Sequence, residues 1–307
     1  MNLPNFIILG AGKSGTTTIN YLINQHHDVF MSPVKEPNFF ALEGETKITG
    51  YDSEDPHGFY HYPQSITNLK DYKLLFKDVK NEKIIGDCSN MYQYKTKAAD
   101  NIKKYVPETK LLGVFRNPSE RLFSRHQHLL RQNLSPTLHF TDCFTKGNLW
   151  WQKNDLIQEG FYYSHMKYYF DNFDHSKIKI MLYDDFRDNP TTFMKEVFDF
   201  LEIDNDFTPD YSMKLNVGGE IKNKFQDKFI GEQSVIRKSI ENFFPSFVNW
   251  CRQNKTLLKF VYKLRNKNLK RVYLSPEIKK RLNDEIYGDE ILKFSKLIGR
   301  DLSHWLE

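Results

Sequence analysis

A chain of 307 residues, 39% of them hydrophobic, is long enough to bury one large core. We therefore expect a single domain over 1–307, with a helical C-terminal portion from about 210. The net charge of +5 is modest for this length, which suits an anionic small ligand or an acidic substrate and argues against duplex nucleic acid as a partner.

The cysteine pattern and the apolar runs bear on the cellular compartment. Cys88, Cys143 and Cys251 are far apart and show no C-x-x-C spacing, which argues against a disulfide framework and a zinc site and fits a reducing environment. No apolar run approaches the ~20 residues of a membrane helix, and no signal-peptide core precedes the first predicted strand. We expect a cytoplasmic protein, or one from which an anchor has been removed.

The first predicted elements surround a glycine-rich loop. The apolar run 6–10 is typical of a buried parallel strand, and helix signals continue from Thr16 to His26. Glycines at 10, 12 and 15 let backbone N–H groups approach an anion, and Lys13 adds a positive charge beside the helix start. The loop is close to the Walker A motif, but Thr16 stands where that motif has lysine. The pattern predicts a site for a nucleotide or a similar anion; the alternative is a tight turn without a ligand.

A short second strand, 29–31, leads into the segment Lys35-Glu36-Pro37-Asn38-Phe39-Phe40. Because right-handed crossovers place the carboxyl ends of successive strands side by side, Lys13 and Glu36 are predicted to be neighbours. The region 41–65 has no clean period and many aromatic residues, which predicts a long surface loop. This loop either covers a ligand or is a solvated excursion with a few aromatic side chains on the core.

The next elements continue the alternation of helices and strands, with helix-like sequence at 66–79, a strand at 83–87, a helix at 98–105 and a strand at 110–115. Arg116 ends the last of these strands, and Asn117 and Pro118 are typical of a helix cap and a first helical residue. Arg116 therefore faces the crevice at the strand ends. Ser124, eight residues later, lies about two turns along the helix.

The second half of the chain has weaker periodicity. The segment 133–159 is irregular, an aromatic helix is predicted at 160–173, a strand at 177–183 and an amphipathic helix at 190–201. Further helices are predicted from Ser275-Pro276 and over 284–305. Strands that alternate with helices over the first two-thirds of the chain predict an α/β fold with a mostly parallel sheet and helices on both faces.

Two motifs together resemble one enzyme family. Gly12-Lys13-Ser14-Gly15-Thr16-Thr17 resembles the 5′-phosphosulfate loop of the sulfotransferases that use 3′-phosphoadenylyl sulfate (PAPS). The segment from Arg116 to Ser124 resembles the strand and helix in which that family holds the 3′-phosphate with an arginine and a serine. Shorter matches at 160–162, 183–186 and 299–305 extend the resemblance over most of the chain.

Within that family, the segment 35–40 is similar to the branch that contains heparan-sulfate and bacterial carbohydrate sulfotransferases, where the glutamate is the catalytic base. A hydroxyl acceptor needs such a base, because its pKa lies far above 7. The alternative role for Glu36 is a salt bridge to Lys35 or to an arginine. The branch carries Glu-Lys-Ser-Pro after the third strand, whereas this chain has Asp87-Cys88-Ser89-Asn90, and Cys88 cannot supply the lysine's charge. A less acidic glycan or a lipid-linked sugar is therefore an alternative to a highly sulfated polymer.

The resemblance implies a three-layer α/β fold like that of P-loop nucleoside triphosphatases, and transfer of a sulfuryl group from PAPS to a hydroxyl, most of all on a glycan or glycolipid, with PAP (3′-phosphoadenosine 5′-phosphate) as product. It implies that Glu36 is the base and that Lys13 stabilises charge on the leaving 5′-phosphate. Tyr162 would contact adenine or line the acceptor cleft, unless it is core, and a C-terminal loop would fold over the 3′-phosphate. The implied donor-binding residues are Lys13, Ser14, Gly15, Thr16, Thr17, Arg116, Ser124, Tyr162, Lys222 and Lys224.

No metal is expected. Asp87 ends an apolar strand without the lysine of a Walker A loop, and His126 and His128 point in different directions on a helix, which favours surface or cleft positions for them. Two other functions stay open at this point: a Mg²⁺-dependent P-loop kinase, and a nucleotide- or glycan-binding module without catalysis. The sequence gives no indication of the oligomeric state.

Overall fold

The computed structural model describes residues 2–46, 62–213, 219–223 and 255–307. Five parallel strands form a central sheet in the order β2-β3-β1-β4-β5. The predicted α/β class with a parallel sheet between helices is confirmed. The strands are β1 (Phe6–Gly10), β2 (Val29–Met31), β3 (Ile84–Cys88), β4 (Lys110–Phe115) and β5 (Ile178–Leu182).

Helices cover both faces of this sheet and continue to the C-terminus. Up to residue 201 they are α1 (Thr16–Ile23), α2 (Phe39–Leu42), α3 (Leu69–Leu74), α4 (Met91–Tyr94), α5 (Thr96–Tyr105), α6 (Pro118–Arg131), α7 (Leu149–Gln152), α8 (Tyr162–Asn172), α9 (Tyr183–Asp188) and α10 (Pro190–Leu201). Beyond residue 254 they are α11 (Lys255–Lys267), α12 (Pro276–Leu282), α13 (Gly288–Ile298) and α14 (Ser303–Leu306).

The core has two parts because successive side chains of a strand point to opposite faces of the sheet. On one face, Ile7 and Leu9 of β1 belong to a buried cluster that includes Tyr162, Phe294 and Trp305. On the other face, Phe6 and Ile8 belong to a cluster that includes residues of α1 and α10. Since both faces of β1 are covered, its continuous apolar sequence predicted its position correctly.

The strand order differs from the expectation that β1 and β2 are side by side. β3 lies between them, with Phe6 opposite Gly86 on one side and Val29 opposite Ile84 on the other. The crossover through α1 skips one strand position, and β3 fills the gap. All five strand ends still meet at the same edge of the sheet, so the loops after β1 and β2 remain on one side of the molecule.

Within the described residues beyond 210, the C-terminal portion is mainly helical, with one short antiparallel pair between Glu220–Ile221 (β6) and Leu269–Lys270 (β7). The helical segment expected over 284–305 is present but interrupted. A π-helical turn at Asn283–Tyr287 precedes α13, which ends at Gly299 in a left-handed conformation (φ 63°), and α14 follows separately. In the described ranges, no helix is both long and apolar enough to span a bilayer.

Candidate active site

The carboxyl edge of the sheet gathers residues that the sequence singled out. The glycine-rich loop follows β1, Glu36 follows β2, Asn90 follows β3, Arg116 follows β4 and Tyr183 follows β5. Ligands of open parallel sheets bind at this edge. The strand ends that the sequence analysis placed together therefore share one edge, and five separate parts of the chain contribute to it.

A buried ion pair between Arg121 and Glu159 contacts the backbone of the glycine-rich loop. The N–H of Gly12 donates to Oε1 of Glu159 at 2.5 Å, and Nη1 of Arg121 donates to Oε2 of the same carboxylate at 2.7 Å. Both charged side chains are buried. Burial raises the pKa of Glu159, while the charge of Arg121 opposes that rise. A side chain at Gly12 would place its Cβ 2.7 Å from Glu159, so this contact requires glycine.

The start of α1 is open to an anion. Gly15, at the N-cap position, has a φ of 82° and no side chain to cap the helix. In the described ranges, the N–H groups of Gly15 and Thr16 donate no backbone hydrogen bond, and the buried hydroxyl of Ser14 has no partner. An uncapped helix N-terminus with an unsatisfied buried hydroxyl suits a phosphate or sulfate group. Lys13, with a φ of 66°, stands in the same loop.

Tyr183 connects this loop to the arginine at the end of β4. A Cβ on Gly15 would lie 2.9 Å from Cε2 of Tyr183, so the ring packs directly against the loop. The guanidinium of Arg116 lies over the same ring, 5.2 Å from its centroid. The aromatic ring thus lies between the two motifs that are predicted to bind anions, which are about a hundred residues apart in the sequence.

Arg116 and the start of α6 match the sequence prediction. Asn117 caps the helix by accepting from the N–H groups of Ser119 and Glu120 at 3.0 and 3.3 Å. The guanidinium of Arg116 is partly exposed and pairs with Glu120 at 2.8 Å. Ser124 lies half-buried on the same helix. The structure therefore places Arg116 at the strand end and Ser124 on the helix that follows, and their role in binding a 3′-phosphate stays a prediction.

Glu36 is held by its backbone and by its carboxylate. Its N–H donates to the carbonyl oxygen of Cys88 at 2.9 Å, and its φ of 58° is unusual for a residue with a side chain. The ammonium of Lys35 and Nδ2 of Asn90, the latter at 2.6 Å, both donate to Oε1. The salt bridge to Lys35 that the sequence offered as an alternative is therefore present. Within the described ranges, Oε2 accepts no hydrogen bond.

Glu36 reaches the glycine-rich loop through Asn90. The hydroxyl of Thr16 donates to Oδ1 of Asn90 at 3.1 Å, and the amide of Asn90 then contacts Glu36. Asn90 thus bridges the segment that carries Glu36 and the start of α1, because β3 lies between β1 and β2. The proximity of Lys13 itself to Glu36 stays a prediction.

Lys35 supplies positive charge next to Cys88. Burial raises the pKa of the Cys88 thiol to about 12, so this residue is uncharged at neutral pH. Burial works against the charge of Lys35, but the carboxylates of Glu36 and Asp87 stabilise it, and the pKa of Lys35 is raised overall. Lys35 therefore places a positive charge beside this uncharged side chain.

Asp87 is a structural residue at the end of β3. Its buried carboxylate accepts hydrogen bonds from the hydroxyls of Tyr72 and Tyr92, each at 2.7 Å, and from Ser89 at 2.9 Å. Burial raises the pKa of Asp87, and the three hydroxyls oppose this. This carboxylate anchors the turn that carries Asn90.

Tyr162 lies in the core directly beneath Arg116. It is buried, packs on Phe115, Phe294 and Trp305, and donates from its hydroxyl to the carbonyl oxygen of Arg116 at 2.9 Å. This is the core alternative that the sequence left open. A direct contact with the donor stays a prediction.

The structure shows no contact between Lys222 and Arg116 in the described ranges. The ammonium of Lys222 donates to the carbonyl oxygen of Lys267 at 3.0 Å, and the neighbouring Gly219 accepts from Arg131 at the far end of α6. That end lies about 20 Å along the helix from Arg116. The role predicted for Lys222 therefore stays a prediction, and Lys224 lies outside the described residues.

One of the two histidines that the sequence singled out differs from its expected position, while the other, His128, is half-buried on the same helix. His126 is buried between Phe140 and Trp150 rather than at the surface or in a cleft, because it lies on the inner side of α6.

The ligand atoms of His26, His27 and Asp28 lie within 4.8 Å of one another. His26 uses both ring nitrogens, for Asp204 O and for the N–H of Asp28, each at 3.0 Å. We assign no metal to this group.

The sequence assigned no role to Glu159, Asn90 or Tyr183. Glu159 was detectable only as a lone carboxylate before the aromatic segment 160–173, and Asn90 only as the last residue of a turn. Nothing local indicates that Glu159 binds a loop 147 positions earlier.

Known proteins with sequences similar to this chain include sulfotransferases. A mouse (Mus musculus) protein named bifunctional heparan sulfate N-deacetylase/N-sulfotransferase 4 is 23% identical over 290 residues, which cover 88% of this chain and 30% of that protein. Rat (Rattus norvegicus) carbohydrate sulfotransferase 15 is 26% identical over 165 residues, which cover 43% of this chain and 28% of that protein. The chain spans between 22% and 30% of the length of the curated relatives that it matches.

A solved sulfotransferase from Alicyclobacillus acidocaldarius has the same fold, with a TM-score of 0.70 and 24% identity over the whole of both chains. The family model for the sulfotransferase domain matches residues 3–240, well over half of the chain. The protein belongs to the sulfotransferase domain family.

Proposed function

We propose that the chain transfers a sulfuryl group from PAPS to a hydroxyl of a carbohydrate acceptor, with Glu36 as general base. The observation that carries this proposal is the short connection from the glycine-rich loop to the carboxylate: Thr16 to Asn90 to Glu36. In the described ranges, one oxygen of this carboxylate accepts no hydrogen bond, which supports a role in removing a proton beside a loop suited to an anion.

The residues at the donor end fit the two charged ends of PAPS. The unsatisfied hydroxyl of Ser14 and the open N-terminus of α1 at Gly15 and Thr16 suit the 5′-phosphosulfate, together with Lys13 and Thr17. Arg116 and Ser124 suit the 3′-phosphate, since a guanidinium and a hydroxyl offer several donors to its oxygens.

When bound, PAPS supplies an activated sulfuryl group, whose transfer needs mainly positioning and charge neutralisation, as phosphoryl transfer does. Glu36 takes the hydroxyl proton on Oε2 as the acceptor oxygen bonds to sulfur. Lys13 stabilises the negative charge that grows on the 5′-phosphate oxygen as its bond to sulfur breaks. Lys35 forms an ion pair with the carboxylate of Glu36 and so helps to hold it in place.

A carbohydrate acceptor is supported by the names of two relatives, one a heparan sulfate enzyme and one a carbohydrate sulfotransferase. The charge of Lys35 next to Glu36 also suits a polar acceptor. Within the carbohydrates, both a glycan and a glycolipid carry hydroxyls that this chemistry would accept.

The test is an incubation of the protein with PAPS and a panel of glycans, glycolipids and small alcohols, read by mass spectrometry for a gain of one sulfuryl group. Glu36→Gln should lose most turnover while its affinity for PAP changes less than about twofold. Glu45→Gln is the control, because it also removes a glutamate from a lysine ion pair, with Lys97 at 2.7 Å.

A second arm replaces PAPS with ATP and Mg²⁺. We expect no phosphoryl transfer, since position 16 lacks the lysine of a Walker A loop. Phosphoryl transfer in that arm without sulfuryl transfer in the first would contradict the proposal, and full activity of Glu36→Gln would contradict the assignment of the base.

A further inference from the structure

The side chain of Asn90 makes two hydrogen bonds whose direction is fixed by chemistry. A carboxylate oxygen only accepts, so the contact to Oε1 of Glu36 must come from Nδ2 of Asn90. Oδ1 of Asn90 then accepts from the hydroxyl of Thr16 at 3.1 Å. Asn90 therefore joins the proposed base to the first residue of α1, which belongs to the donor loop.

Asn90 uses its side chain for this bridge instead of capping its own helix. It occupies the N-cap position of α4, where an asparagine normally accepts from a backbone N–H two or three residues later, yet its side chain makes no cap bond. The residue is almost fully buried, and Asp87 and Ser89 anchor the turn that carries it. The side chain of Asn90 therefore contacts Glu36 and makes no capping hydrogen bond to α4.

The bridge also decides which oxygen of Glu36 is available. Lys35 and Asn90 both donate to Oε1, so the carboxylate is held by two donors on one oxygen. Oε2, which accepts no hydrogen bond in the described ranges, keeps its lone pairs for the proton of the acceptor. Without the amide of Asn90, only the ammonium of Lys35 would hold the carboxylate, which could then rotate about its Cγ–Cδ bond.

We propose that Asn90 is a positioning residue that fixes the carboxylate of Glu36 and ties it to the donor loop through Thr16. This inference rests on the proposed role of Glu36 as base. In this proposal Asn90 acts through Glu36 and not through contacts of its own with the donor or the acceptor.

The experiment measures sulfuryl transfer by Asn90→Ala and Asn90→Asp. Asn90→Ala removes both bonds, and kcat should fall about ten- to a hundredfold because the base is misplaced. Asn90→Asp keeps the volume and the acceptor for Thr16 but puts a second carboxylate beside Glu36, so kcat should fall at least as far. In both variants the affinity for PAP and the KM for PAPS should stay within about twofold of wild type.

Asn101→Ala is the matched control. Asn101 is as buried as Asn90, at 8% exposure, and its amide makes one comparable bond, to Phe40 O at 2.8 Å, but it lies on α5 away from the crevice. Its kcat should equal that of wild type, and its melting temperature shows the cost of losing a buried asparagine. Asn90→Asp keeps the test valid if Asn90→Ala does not fold.

A double variant separates positioning from a general structural effect. If Asn90 acts through Glu36, Asn90→Ala should cause no further loss in a Glu36→Gln background. An equal loss in both backgrounds, or a loss of PAP affinity as large as the loss of kcat, would overturn the inference. If Glu36→Gln is inactive while Asn90→Ala is as active as wild type, the inference fails alone; if Glu36→Gln is fully active, the proposed base fails.

Discussion

The side-chain amide of Asn117 donates a hydrogen bond to the carbonyl oxygen of Trp305 at 2.7 Å, across 188 positions of sequence. The same carbonyl accepts from Asn283 at 3.0 Å, and the indole N–H of Trp305 donates to Asp184 at 2.8 Å. Asn117 also caps the helix that begins after Arg116. The last residues of the chain thus support the segment proposed to hold the 3′-phosphate.

Replacement of Trp305 by alanine should destabilise the fold by about 3–5 kcal/mol, because a fully buried indole leaves a large cavity. It should also weaken PAP binding more than it weakens the binding of 5′-AMP, since the support of Arg116 is lost. Urea unfolding and calorimetric titration measure the two effects. His304→Ala changes an exposed neighbour and should leave both unchanged; equal losses for both nucleotides in Trp305→Ala would contradict the link to Arg116.

Arg116→Ala should weaken PAP binding by about ten- to a hundredfold, as expected when a charge-assisted contact to phosphate is removed. Binding of 5′-AMP, which has no 3′-phosphate, should change less than about twofold. Ser124→Ala should show the same pattern at smaller magnitude. Arg131→Ala, at the other end of the same helix, is the control and should bind both nucleotides like wild type. A similar loss for 5′-AMP would mean that Arg116 does not act on the 3′-phosphate.

Gly15→Ala and Gly44→Ala form a matched pair. Both glycines are left-handed, with φ of 82° and 75°, so each alanine should cost about 1–2 kcal/mol of backbone strain. Only the Cβ at Gly15 also meets Tyr183, at 2.9 Å, whereas the Cβ at Gly44 meets nothing within 4 Å. We expect Gly15→Ala alone to lose PAP affinity, at least about tenfold, with partial recovery in a Gly15→Ala/Tyr183→Leu double variant. Equal affinities in the two single variants would show that the contact with Tyr183 has no part in donor binding.

Glu159→Gln should destabilise the protein by about 3–5 kcal/mol, since Arg121 would then be a buried charge without a counterion. Asp171→Asn, which removes the carboxylate of an exposed pair with Lys167, should cost less than about 1 kcal/mol. Chemical denaturation compares the two. A small loss in Glu159→Gln would indicate that the buried pair does not hold the loop at Gly12.

Stability should depend on pH through three histidines. Burial lowers the pKa of His26, His126 and His165 below the ordinary value of 6.5. Their pKa values are lower in the folded state than in the unfolded state, so below pH 6.5 the unfolded state binds protons that the folded state does not. The free energy of unfolding therefore decreases as the pH is lowered, by up to about 1.4 kcal/mol per pH unit and proton. The raised pKa values of Asp87 and Glu159 act in the opposite direction in the acidic range, so a difference between variants isolates the histidines.

His126→Leu should therefore lose less stability than wild type between pH 7.5 and pH 5.5, as measured by urea unfolding at each pH. His304→Asn, which changes an exposed histidine, should follow the wild-type curve. Parallel curves for wild type and His126→Leu would mean that His126 takes up its proton equally in both states.

The parts that sequence reasoning located are those set by local patterns. The elements β2, β4 and α10 have the predicted bounds. The two strands are continuous apolar runs and the helix begins with Asn-Pro, and both patterns are recognisable within a few residues of sequence. The position of β3 between β1 and β2 depends on strand pairing between distant segments, which no local period encodes. The bridge through Asn90 depends on that same strand order, so it could not be predicted either. Most of the loop expected at 41–65 lies outside the described residues.

The placement of β3 has a consequence for how acceptor choice can change. Arg116 follows β4 and Tyr183 follows β5, whereas Glu36 follows β2 and Asn90 follows β3. The strand β1, which precedes the glycine-rich loop, lies between these two pairs of strands. Under the proposed function, β4 and β5 lead to residues that bind the nucleotide, and β2 and β3 lead to residues that act on the acceptor's proton. The loops after β2 and β3 can then be exchanged, by evolution or by grafting, without cutting a strand proposed to hold the nucleotide. We therefore expect the acceptor to change through these loops while the donor site stays intact.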